Sequence, residues 1–100
     1  MPASAKRAAP KSVPPVTIGQ IEYSAPPEFM GFVIATDKQS QKELWRERIY
    51  TVKIDPARER DVQDNFIAAL AVERGVLVIT DERGAHYSLD PATRKATQRE

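Results

Sequence analysis

Apolar positions come in short bursts of strand length, separated by Pro, Gly and charged clusters. VTIGQIEY (16–23) is rich in β-branched residues, with Val16 and Ile18 on one parity and Ile21 and Tyr23 on the other. Gly19 lies near the phase change, which predicts one strand with a β-bulge. SAPPE (24–28) is expected to be a loop, because Pro26 and Pro27 cannot donate to a ladder. FMGFVIAT (29–36) is a continuous apolar run, long enough for a central strand and too short for a free-standing helix. DKQSQK (37–42) is wholly polar, and the Asp37 side chain can bond the backbone ahead of it to start a turn. ELWRERIYTVKID (43–55) ends in alternation, Tyr50, Val52 and Ile54 against Thr51, Lys53 and Asp55, which predicts the clearest half-buried strand of the chain.

Asp55 to Gly75 has two readings. Local rules favour one long helix: Asp55 can act as N-cap, Pro56 suits the first turn, Gly75 can close the end, and Val62, Phe66, Ala69 and Leu70 share a helical face. The rival is a short helical turn near Pro56 to Gln63, a strand from Phe66 to Val72, a turn at Glu73 to Gly75, and a strand from Val76 to Thr80. DERG (81–84) then reads as a solvated turn, AHYSL (85–89) as a further short strand, and ATRKATQRE (92–100) as a polar, fraying terminus.

At 100 residues, with 41% hydrophobic and 29% charged residues, the chain has material for one small core. Zero Cys removes disulfides, thiolate zinc sites and thiol nucleophiles. The net charge of +1 conceals a division. Residues 1–15 carry Lys6, Arg7 and Lys11 with no acid and four of the eight Pro, and read as a flexible basic tail. The organisation expected is that tail, a single β domain over 16–92, and a polar C-terminal tail over 93–100. No run of residues has the length and apolarity of a secretory signal or a membrane span. As given, the sequence reads as cytoplasmic, or as periplasmic or cell-envelope if a signal peptide was removed.

Ala35 to Trp45 (ATDKQSQKELW) resembles the A-x-D-x-x-T-G-K-x-x-W segment of PQQ-like (quinoprotein) β-propeller repeats, keeping Ala35, Asp37, Lys42 and Trp45. Ser40 stands for the Thr, and Gln41 for the Gly, so a turn demanding positive φ there would be strained. Gly84 to Lys95 (GAHYSLDPATRK) resembles the G-x-x-Y-x-L-D-x-x-T-G-K part through Tyr87, Leu89, Asp90 and Thr93, with Arg94 at the Gly position. The two Asp are 53 residues apart, close to the length of such repeats. The resemblance implies a β-meander ahead of the second copy, and so favours the hairpin over Phe66 to Thr80. The fold expected is mainly β, an antiparallel sheet or meander of about six strands with one short helical segment; the alternative is α+β with a long helix over 56–74.

Candidate chemistry is sparse. His86 is the only His, with no Cys to share a metal and no G-x-S-x-G around any Ser, and it reads as a structural or surface residue. Asp55, Glu59, Asp61 and Asp64 form the densest acidic cluster, but Arg58 and Arg60 among them make it a self-neutralised surface. The four Gly form no phosphate cradle. No residue can be assigned to a quinone, metal or other cofactor, and none is expected. The leading expectation is a non-catalytic β-sheet module that takes a protein partner or a second copy through a sheet edge, with Trp45 and Tyr50 as contact residues. Two further readings are a fragment of a quinone-dependent dehydrogenase propeller, implied by the resemblance alone, and a weak nucleic-acid binder using the tail with Arg46 and Arg48.

Overall fold

The computed structural model describes residues 12–53, 55–58 and 63–99. Within them the chain is mainly β, with two four-stranded antiparallel meanders following one another. The first holds β1 (Val16–Ile18), β2 (Ile21–Ser24), β3 (Phe32–Asp37) and β4 (Glu43–Arg48); the second holds β5 (Ile67–Glu73), β6 (Val76–Asp81), β7 (His86–Asp90) and β8 (Lys95–Arg99). There are thus eight described strands rather than about six, and each sheet runs in simple chain order. Pro27–Phe29 adds one 3-10 turn.

The differences from expectation have physical causes. The phase change near Gly19 is a hairpin rather than a bulge. Ile18 pairs with Ile21 and Val16 with Tyr23 across a two-residue turn. Cross-strand partners point to the same face, so all four side chains lie together despite opposite parity. Gly19, at φ +61, supplies the positive dihedral that such a turn needs. The contested stretch contains a hairpin, not a long helix: β5 and β6 close through Arg74 (φ 52) and Gly75 (φ 79). Of the helical turn expected near Pro56 to Gln63, residues 59–62 lie outside the described residues. Pro56 to Arg58 form a turn.

Two expectations are corrected. The alternating segment at Tyr50 is not a strand. Residues 49–53 run from β4 toward the second sheet with no ladder partner among the described residues, and Ile54 lies outside them. Tyr50 and Val52 are half-buried while Thr51 and Lys53 are exposed, so the alternation records one-sided burial without pairing. The polar end expected to fray over 93–100 is also a strand as far as it is described, because Lys95–Arg99 pair along β7, with Leu89 opposite Ala96 and Tyr87 opposite Gln98.

One core joins the sheets. Tyr23, Val33 and Ala35 from the first meet Ile67, Leu77, Ile79, Tyr87 and Leu89 from the second, with Val16, Ile18, Trp45 and Leu70 packed against them. The main strand-to-strand contact between sheets is β1 against β5. Aligning Asp37 with Asp90 shows which faces meet. The row Val16, Tyr23, Ala35, Trp45 faces the core, whereas the equivalent row of the second sheet, Ala71, Val78, Ser88, Thr97, lies on its open face. Conversely, Val72, Leu77, Leu89, Ala96 turn inward, and their equivalents Thr17, Glu22, Thr36, Glu43 lie on the open face of the first sheet. The sheets therefore stack head to tail. Along these rows the apolar side chains stand on the two faces that meet, and mostly smaller or polar ones stand at the same positions on the two faces left open.

Candidate functional site

Two turns, one per sheet, carry the repeated sequence signature. In the first, Asp37 Oδ1 accepts a hydrogen bond from the Gln39 amide (3.0 Å), and Oδ2 accepts one from the Ser40 hydroxyl (3.0 Å). The Gln41 amide donates to the Asp37 carbonyl (2.7 Å). In the second, the Ala92 amide donates to Asp90 Oδ1 (2.9 Å) and the Arg94 amide to the Asp90 carbonyl (2.6 Å). Ser40 and Thr93 have matching roles, each accepting from the amide of the following Lys, Lys42 at 3.3 Å and Lys95 at 3.4 Å. Gln41 (φ 64) and Arg94 (φ 60) both take the left-handed conformation that glycine adopts more easily. The two turns thus share one geometry.

Ala35, Leu89, Tyr87 and Trp45 of the signature pack in or against the core. Ala35 and Leu89 are fully buried, and Tyr87 is nearly so. Trp45 tilts against Tyr23 (centroids 5.9 Å, 52°), and the Arg94 guanidinium lies 5.7 Å from its ring centre, so Trp45 links its own sheet to the repeated turn of the other. Tyr50 stacks on Tyr87 at 5.2 Å and donates its hydroxyl to the Asn65 carbonyl. The rings of both expected contact residues are therefore engaged within the molecule.

The DERG turn holds a group that the sequence reading passed over. Asp81 was expected in a solvated turn, but it is only 3% exposed. Its Oδ1 accepts the amides of Arg83 and Ala85, both at 2.9 Å, and its Oδ2 accepts Asn65 Nδ2 (3.0 Å) and the Tyr87 hydroxyl (2.8 Å). Burial opposes the charge, yet these four donors outweigh it and hold the Asp81 pKa below the usual carboxylate value. Burial first, and then the Asp81 carboxylate, push Tyr87 up to about 12. Burial, followed by the Asp81 charge, also raises Tyr50. The carboxylate stays ionised and the phenols stay protonated at neutral pH, which suits fixed acceptors and donors rather than proton transfer. The cluster lies along an open groove of about 550 Å³ beneath the extended segment at Tyr50 to Lys53, with Arg83 and Gln98 on its walls. The signal in the sequence was an Asp ending a buried strand with Gly three residues on, a pattern that local charge masked.

The other candidates are dispersed. His86 is exposed, with Nδ1 2.9 Å from the Thr80 hydroxyl. Asp55 Oδ1 accepts the Ala57 amide (2.9 Å); Glu59 and Asp61 lie outside the described residues. Among the described residues no group of three His or acidic side chains is placed to hold a metal ion. Arg46 lies over Phe29 of the 3-10 turn at 4.3 Å and Arg48 over Phe32 of β3 at 5.1 Å, so both guanidiniums cover apolar rings of the molecule itself. No helix among the described residues is long and apolar enough to cross a membrane. In comparison with known proteins, no family model and no curated protein matches the chain.

Proposed function

We propose that this chain is a non-catalytic interaction or assembly module built from two consecutive propeller-type blades. The observation that carries the reading is the recurrence, in two successive four-stranded meanders, of one Asp-led turn with the same Ser or Thr bond and the same positive-φ residue. That recurrence is what a PQQ-like repeat would produce, and the head-to-tail stacking of non-equivalent faces is how consecutive blades would meet. Two blades fall short of the four or more that a closed propeller needs. Among the described residues β1, β4, β5 and β8 are the outermost strands of their sheets, and their edges are the surfaces offered to a partner strand. The signature residues serve structure: the Asp residues set turns, and Trp45 ties the blades together. Light scattering and affinity capture, on the wild type and on Trp45→Ala, test the reading. Association by the wild type, weakened when the blades are loosened, supports it. A strict monomer that captures nothing in either form overturns it.

A further inference from the structure

Resting on the reading of the chain as an assembly module, we propose that its partner is a second copy, docked border to border, with the two β5 strands pairing antiparallel across a twofold axis. The two borders of the molecule differ in chemistry. Along one, β4 and β8 carry Glu43, Arg46, Glu47, Arg48 and Lys95, the kind of charge that guards an edge against pairing. Along the other, where β1 and β5 meet, the only charged residue of the two strands is Glu73, at the last position of β5, and the Arg99 guanidinium of β8 lies 3.9 Å from its carboxylate.

β5 is also the longest of the described strands, with seven residues, and its sequence IAALAVE contains neither Lys nor Pro. It lies at the edge of its sheet with Ala68, Ala69, Ala71 and Val72 exposed. This border is continuous with the interface already present inside the chain. Val16, Ile18 and Leu70 pack on the shared core from here, and Val72 stays 40% exposed.

The strand is self-complementary, which selects a second copy over an unrelated peptide. In an antiparallel self-pairing centred on Leu70, Ala69 stands opposite Ala71 of the second copy, and each Glu73 lies opposite Ile67. The two acids then sit about 20 Å apart along a strand that rises roughly 3.3 Å per residue, so they do not repel at close range. Small side chains at the exposed positions let the two backbones approach. An isologous contact of this kind closes at two copies and presents no further β5 edge.

The test uses the full chain in sedimentation velocity over a wide concentration range, with Ala69→Lys/Ala71→Lys and, as control, Thr97→Lys on β8. The expected result is a wild-type monomer–dimer equilibrium, a dissociation constant raised at least tenfold by the β5 lysines, and no change from Thr97→Lys. Because the chain has no cysteine, Ala71→Cys and Thr97→Cys each accept a single nitroxide label, which keeps the test decisive if the lysine variant misfolds. In the dimer the labels at position 71 lie under about 15 Å apart and couple strongly. Those at position 97 lie roughly 30 Å apart or more, since three strand spacings of about 4.8 Å stand on each side of the twofold. A wild type that stays monomeric throughout overturns the proposal. So does a dimer that tolerates the β5 lysines or brings the position-97 labels together, although that outcome leaves association itself, and hence the functional reading, standing.

Discussion

Replacing Asp81 by Ala should be among the most damaging single changes available in this fold, although the sequence places it in an ordinary charged turn. The substitution removes an acceptor that serves four donors: the amides of Arg83 and Ala85, the Asn65 side chain and the Tyr87 hydroxyl. The amides lie at a part-buried turn where water can replace the carboxylate, so their loss costs little. The Asn65 amide and the Tyr87 hydroxyl meet Asp81 in buried contacts, and each is left unsatisfied at about 1–3 kcal/mol. The sum is about 2–6 kcal/mol, against a total stability of about 5–15 kcal/mol for a domain of this size. Urea titration followed by circular dichroism reads this as a large fall in midpoint at nearly constant slope.

The same site sets an acid dependence. The folded pKa of Asp81 is lowered, so its contribution is fully present above the unfolded value of about 3.9 and is lost as pH falls from there through the lower folded value. Asp81→Asn should therefore show a shallower acid limb than the wild type, and Tyr87→Phe should cost about 1 kcal/mol. If Asp81→Ala lies within about 0.5 kcal/mol of the wild type, the network contributes nothing and the reasoning fails.

Other substitutions probe the turns and the connection between sheets. Gly31 has φ +82, and a Cβ there would lie 2.6 Å from the Tyr50 carbonyl oxygen. Gly31→Ala should lower stability by about 2–4 kcal/mol, readable as a fall in Tm, because left-handed strain and a backbone clash coincide. Gln41→Gly and Arg94→Gly should each raise Tm, with a gain of up to about 1 kcal/mol from relieving positive φ. The gain should be smaller at Arg94, whose guanidinium is lost from the Trp45 ring. Tyr50→Phe removes the hydroxyl bonded to the Asn65 carbonyl and should cost about 1 kcal/mol in the same denaturation assay while keeping the ring stacked on Tyr87.

Much of the β character was legible in the sequence, since β-branched runs and turn residues mark β3, β6 and β7 directly. What escaped did so for separable reasons. Parity arguments follow a single strand, so a two-residue hairpin at Gly19, which puts Ile18 and Ile21 on one face, looks like a defect. Alternation reports which side of a segment is buried, so Tyr50 and Val52 imitate a strand although neither is paired in a ladder among the described residues. β8 was missed because it is an edge strand with only Ala96 offering apolar contact inward. Its pairing comes from the backbone, which the sequence does not display. The repeated Asp turns were visible from residue types alone, whereas the burial of Asp81 depends on Asn65 and Tyr87 reaching it from separate elements.

Amide hydrogen exchange on the edge strands, followed as protein concentration rises, tests the central claim most directly, because it reads each unpaired edge in the intact chain. The account predicts that outward-facing amides of β5 gain protection with concentration while those of β4 and β8 remain fast. Unprotected β5 amides at every concentration, or protection that grows on β4 or β8 instead, would contradict it.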